Sequence, residues 1–148
     1  MQIRRMLLHD VPGAVQVEEA CFSTPWSEKV YTETIANENA LYLIAVEEET
    51  QRVIATCGFM NILGEGDISN VAVLDAYRGQ GIASRMMEEL LCRGKELGMT
   101  QYILEVRASN TPAIGLYEKF GFSQIGRRRL FYEHPSEDAL IMQRIETP

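Results

Sequence analysis

The sequence predicts a mixed α/β (α+β) fold, a mostly antiparallel central sheet flanked by helices. Three observations lead there. Segments of strand character and segments of helical spacing follow one another in the order βααβββαβαββ. The three central strand segments are separated only by turn residues, as in an antiparallel meander. A glycine-rich stretch, Arg78-Gly79-Gln80-Gly81, runs directly from a strand into the strongest helical pattern of the chain. With 148 residues, the chain has the length of one domain, residues 1–148, and can bury a real core.

The elements are justified in order. Gln2 to Leu7 reads as a first strand. A helix then runs to about Phe22, with Asp10 as its N-cap and Pro12 in its first turn. Ser23-Thr24-Pro25-Trp26-Ser27 breaks it. The second helix spans Ser27 to about Asn37, its capping pattern incomplete because Val30 stands where a glutamate would close the box. Strands follow at Leu41 to Glu47, Val53 to Leu63 and Asp67 to Leu74, joined by Glu47-Glu48-Glu49-Thr50 and Gly64-Glu65-Gly66. Gly81 to Glu96 forms a helix with Ile82, Met86, Leu90 and Leu91 at helical spacing and Gly98 as its stop. A strand around Leu104 comes next. The short helix after it is capped by Asn110 or Thr111, with Pro112 in the first turn and Gly121 past the end. Phe122 to Arg129 and Ala139 to Ile145 are the last strands, on either side of a polar loop. No repeat, linker or low-complexity tract interrupts this order.

Composition narrows the function. The 46% hydrophobic and 24% charged content is that of a soluble globular protein. No apolar run nears the roughly 20 residues of a membrane span. Met1-Gln2-Ile3-Arg4-Arg5 lacks the apolar stretch of a signal peptide, so a cytoplasmic location is expected. Cys21, Cys57 and Cys92 are odd in number and widely spaced, and read as reduced core thiols. The net charge of −7 argues against direct nucleic-acid binding and suits a basic partner. His9 and His134 read as surface residues; with no metal-ligand spacing, no metal site is expected.

Two stretches carry chemistry. In Arg78-Gly79-Gln80-Gly81-Ile82-Ala83 the glycines let successive N–H groups turn toward one point. The helix start adds partial positive charge, so the loop suits a pyrophosphate. A plain glycine-rich turn is the alternative. A Walker loop fails, because no Gly-Lys-Ser/Thr follows. A dinucleotide loop fits Gly79-x-Gly81 but finds Ser84 at its third glycine, after a meander and in a chain too short for a substrate domain. In Tyr102-Ile103-Leu104-Glu105-Val106-Arg107, alternation puts Ile103, Glu105 and Arg107 on one face. A carboxylate on an inner face is costly unless paired, wet or useful. Tyr117, twelve residues on, sits in a helical pattern that could return to the end of that strand.

Arg78-Gly79-Gln80-Gly81-Ile82-Ala83 resembles the R/Q-x-x-G-x-G/A signature of the GNAT superfamily of N-acetyltransferases, and the element order matches that fold over essentially the whole chain. Pro25-Trp26-Ser27, Asn70-Val71-Ala72-Val73, Leu104-Glu105-Val106-Arg107-Ala108-Ser109-Asn110 and Ala113-Ile114 to Leu116-Tyr117 resemble the RimI-type ribosomal-protein alanine N-acetyltransferases. The resemblance implies a GNAT fold with strands splayed at an acetyl-CoA site. It implies that the pantetheine arm lies along Val71, Ala72 and Val73, a main-chain N–H polarising the thioester carbonyl. The pyrophosphate would rest on Arg78, Gly79, Gln80, Gly81, Ile82, Ala83 and Ser84, and Asn110 would bond the same cofactor.

Glu105 matches the family's general base and Tyr117 its general acid. Trp26 would lie beside the peptide groove. Tyr132 would touch substrate, Phe131 standing where relatives carry a first tyrosine. The implied activity is acetyl transfer from acetyl-CoA to the N-terminal alanine of the eighteenth small-subunit ribosomal protein, by a monomer or weak dimer without metal. An α-amine, with pKa near 8, costs about 3 kcal/mol less to deprotonate at neutral pH than a lysine near 10.4. That favours an N-terminus as acceptor. Two alternatives stay open: an acetyltransferase for small amines, and a non-catalytic CoA-binding or docking module on the same fold.

Overall fold

Three of the four α-helices begin where a short polar side chain or a proline stands, but the caps differ from one another. The computed structural model describes residues 1–69 and 71–147. After β1 (Gln2–Arg5), a 3-10 turn at Leu8–Asp10 leads into α1 (Val11–Cys21). Asp10 sits at the N-cap of α1 without bonding its first turn. Its carboxylate instead accepts from the Leu7 N–H (2.8 Å) and from both Arg4 nitrogens (2.7 and 2.9 Å), tying the helix entry back to β1. In α2 (Glu28–Ile35) the Ser27 hydroxyl accepts from the Val30 N–H at 3.2 Å. That is the half of a capping box that Val30 leaves possible. For α4 (Thr111–Lys119) the cap is Asn110, whose side-chain oxygen accepts from the Ala113 N–H.

The strands are β2 (Ala40–Val46), β3 (Val53–Ile62), β4 (Glu65–Ile68), β5 (Ala72–Val73), β6 (Gln101–Arg107), β7 (Ser123–Tyr132) and β8 (Glu137–Ile145). They form one open sheet in the order β1-β2-β3-β4-β6-β8-β7, with β5 also paired to β3. Every pairing is antiparallel except β4 with β6. The expected mixed, mostly antiparallel sheet is therefore present. β2 is buried at every position, because helices cover both of its faces. On one side, Cys57 of β3 bonds the Met86 carbonyl of α3 (Ile82–Glu96). On the other, Thr56 faces Trp26, Tyr31 and Tyr42.

Three expectations change. The single strand from Asp67 to Leu74 is two strands, β4 and β5. Ile68 pairs with Phe59 and Ala72 with Thr56, so the two strands meet β3 in separate registers. Asn70, part of the motif read there, lies outside the described residues. The last hairpin is longer than expected, with Tyr132 still paired to Glu137. Of the three cysteines only Cys57 is a core thiol; Cys21 is half-buried and Cys92 exposed, because Cys92 falls on the solvent side of α3. Both histidines are exposed, as expected.

Candidate active site

The site begins where the sheet stops being continuous. Parallel pairing of β4 with β6 runs only from Glu65–Gln101 to Asp67–Ile103. Past that point β5 stays on β3 while β6 continues on β8, where Glu105 pairs with Ile141. The two diverging strands leave a gap, and two adjoining cavities fill it.

The first cavity, about 360 Å³, takes in Glu105 and Val106 of β6, Val71, Tyr117 and Tyr132. The second, about 410 Å³, runs over Val71, Ala72 and Val73 to the glycine loop. Cys21, Phe22, Val71, Asn110, Ala113 and Tyr117 line both, so the two are one trough with Tyr117 at its waist. Strand alternation explains why Glu105 can be here at all. Tyr102, Leu104 and Val106 are buried on the α3 side, whereas Ile103, Glu105 and Arg107 are half-buried on the other. The carboxylate thus faces a wet cleft, with Arg128 Nε at 3.7 Å from one oxygen.

Tyr117 is only 5% exposed. Burial pushes its hydroxyl above the ordinary tyrosine value, with smaller contributions in the same direction from Tyr132 and Cys57. Tyr132 is pushed up to about 12, first by burial and then by the charge of Glu105. Cys21, whose Sγ lies 3.4 Å from the Val73 carbonyl, is also pushed up by burial.

The glycine loop has the geometry its composition foretold. Gly79 and Gly81 adopt φ of +78° and +75°, which a side-chain-bearing residue rarely adopts, and nothing lies within 4 Å of where either Cβ would stand. Gly81 is the N-cap of α3 and brings no side chain to its first turn. The N–H groups of that turn therefore face the second cavity without a capping side chain. Open space, positive φ and a helix start together fit a pyrophosphate. Arg78, Gly79, Gly81, Ile82, Ala83 and Ser84 line the cavity; Gln80 does not. Lys119, at the end of α4, reaches Ser84 Oγ at 3.2 Å and adds a positive charge that the sequence reading did not single out. The Val73 carbonyl accepts from Arg78 Nε (3.2 Å) and from Cys21, so an incoming amide would compete for it.

Trp26 is not brought into the trough. Its ring packs on Tyr31 and Tyr42, with centroids 5.1 and 5.8 Å away. Its backbone N–H is held by Glu18, a carboxylate 1% exposed that also accepts from Tyr31 Oη at 3.0 Å. Glu18 and Arg107 escaped the sequence reading, because their partners lie far along the chain or arise from helix packing. Among the described residues no group of three or more His, Cys, Asp and Glu could hold a metal, and no helix is long and apolar enough to cross a membrane.

A splayed mixed sheet with a glycine loop at a helix start defines an acyl-transfer fold, and comparison with known proteins places it. The chain belongs to the acetyltransferase (GNAT) family, whose model matches residues 11–122. It is an enzyme, an acyltransferase of that family. A ribosomal protein bS18-alanine N-acetyltransferase of Escherichia coli (strain K12) is 34% identical over 135 residues, 90% of this chain and 89% of that protein. One from Haemophilus ducreyi is 32% identical over 143 residues, 95% of this chain and 97% of that protein. The crystal structure of the ribosomal-protein-S18-alanine N-acetyltransferase from Escherichia coli superposes with a TM-score of 0.90 at 31% identity, covering 99% of this chain and 95% of that one. The RimI-type resemblance and the GNAT fold are thereby borne out.

Proposed function

We propose that this chain, as one catalytic domain over residues 1–148, uses acetyl-CoA to acetylate the α-amine of a protein N-terminus. The names of its relatives point to the N-terminal alanine of ribosomal protein bS18 as substrate. The observation that carries the reading is the continuous trough. It holds a carboxylate and a buried phenol in one compartment and a phosphate-binding helix start in the next. Acetyl-CoA supplies an acetyl group already activated as a thioester.

Glu105 receives the proton that the attacking amine sheds as the new C–N bond forms, directly or through one water. Tyr117 donates its hydroxyl proton to the departing thiolate sulfur as the C–S bond breaks. Its raised pKa keeps that proton on the oxygen at neutral pH. The loop from Arg78 to Ser84, with Gln80 contributing main chain alone, holds the pyrophosphate. Val71, Ala72 and Val73 hold the arm. Asn110 spends its side-chain oxygen on the α4 cap, leaving its amide nitrogen for the cofactor. Tyr132 forms an acceptor wall, and Trp26 acts through the segment it anchors. A basic N-terminal peptide suits a chain of net charge −7, and the reading needs neither metal nor nucleic acid. A cytoplasmic monomer or weak dimer is sufficient for it.

The test is an acetylation assay read by mass spectrometry. It compares a basic hexapeptide with a free N-terminal alanine, the same peptide α-blocked with one free lysine, and a panel of small amines. One acetyl group on the free α-amine alone is expected. Acetylated small amines beside an untouched peptide would overturn the acceptor assignment.

A further inference from the structure

Arg107 stands two residues beyond Glu105 on the same face of β6, and its guanidinium is the most heavily shared group in the first cavity. Nη1 donates to the Pro135 carbonyl at 2.9 Å and to Glu137 Oε1 at 3.3 Å. Nη2 donates to the Glu133 carbonyl at 2.9 Å and to Ser23 Oγ at 3.4 Å. The plane also lies over the Tyr132 ring, 4.6 Å from its centroid. One side chain thus joins β6 to the loop between α1 and α2, 84 residues away in sequence, and to the β7–β8 hairpin.

Those two segments are the walls of the acceptor cavity: Ser23 and Thr24 on one side, Tyr132, His134 and Pro135 on the other. Apart from the guanidinium, a 3.4 Å bond from Ser23 Oγ to the Glu133 carbonyl joins them. Glu137 extends the connection, since its second oxygen accepts from the Ser109 N–H at 2.7 Å, next to the Asn110 cap.

We propose that Arg107 is the positioning residue of the acceptor site: it sets the separation of the two loops and the pose of Tyr132, and so the affinity for the acceptor peptide. A lysine cannot replace it, because an ammonium lacks the planar fork that serves both carbonyls while stacking on the ring. The glycine loop shares none of these bonds, and Asn110 is met only through Glu137 and Ser109, so acetyl-CoA binding responds much less than peptide binding. This inference rests on the acceptor reading of the cavity given above.

The experiment compares the intact chain with Arg107→Lys, Arg107→Met and Ser23→Ala. Two readouts are taken: KM and kcat for peptide and for acetyl-CoA, and amide hydrogen exchange by segment. Both Arg107 variants should raise the peptide KM tenfold or more and change the acetyl-CoA KM less than twofold. They should also speed exchange in residues 22–27 and 132–137 while leaving α3 unchanged. Ser23→Ala, which removes both the Arg107 bond to this loop and the direct bond to the Glu133 carbonyl, should speed exchange in 22–27 and raise the peptide KM about two- to threefold. Unchanged exchange in both loops in the folded variants overturns the proposal, whether or not the peptide is a substrate. An unchanged peptide KM overturns it as well. If the Arg107 variants do not fold, unchanged exchange and peptide KM in Ser23→Ala still overturn the proposal, and Glu137→Gln, which weakens the Arg107 ion pair while keeping both Ser23 bonds, supports it by faster exchange in 132–137 with a raised peptide KM. A wild-type chain that leaves the peptide unmodified would instead count against the acceptor assignment, and the exchange data would still judge Arg107.

Discussion

Tyr117 lines both halves of the trough yet is almost wholly buried. In the proposed role of acid it works only while protonated, and burial favours that form. Its folded pKa lies above the unfolded value of about 10. The associated stabilisation is therefore complete below about pH 10 and lost as pH rises through the folded value. The same sign governs the rate. Turnover should climb as the acceptor amine loses its proton near pH 8 and should begin to fall only above pH 10. Tyr117→Phe should lower kcat roughly 100-fold and abolish that basic limb; a limb that persists in the variant would assign the proton to another group. At this scale the meeting of Glu105 and Tyr117 in one cavity was legible, because the strand alternation and the helical pattern returning to its end both pointed there. Arg107 was not. It stood in the quoted motif, but nothing local reveals that its partners are Ser23 and Glu133.

Between elements, the packing of α3 on β6 is set by what glycine leaves room for. A Cβ on Gly94 would stand 1.7 Å from the hydroxyl of Tyr102, whose ring also meets Gly66 and packs edge-on against Phe59. Gly94→Ala should cost about 1–3 kcal/mol, lowering Tm by several degrees. Because the clash is with the hydroxyl first, Tyr102→Phe in the same chain should recover part of the loss. A melting temperature unchanged by Gly94→Ala would show that α3 can slide on the sheet. Helical spacing revealed α3, and alternation revealed β6, since each period is a property of its own segment. The division of β4 from β5 was hidden. It shows only in the registers against β3, and two-residue β5 is too short to carry a period of its own.

For the whole molecule, the decisive feature is the change of neighbours across the sheet, with β4 joined to β6 at one end and β5 parted from it at the other. Element order made the meander and the later strands legible. The gap itself depends on where pairing stops, which no single segment encodes. Its consequence is that the proposed base, acid and cofactor loop come from β6, α4 and the start of α3 and converge only in the folded chain. The central claim is that Glu105 and Tyr117 act together across this gap. Its most direct test is mass-spectrometric turnover of the alanine-terminated peptide by the wild type and by a Glu105→Gln, Tyr117→Phe double variant, with melting and CoA binding measured on both. The account predicts one α-acetyl group from the wild type and a rate at least 1,000-fold lower from a folded, CoA-binding double variant, on the basis of about 10²–10⁴ for each proton-transfer group and incomplete additivity. Equal turnover by the two proteins would contradict it.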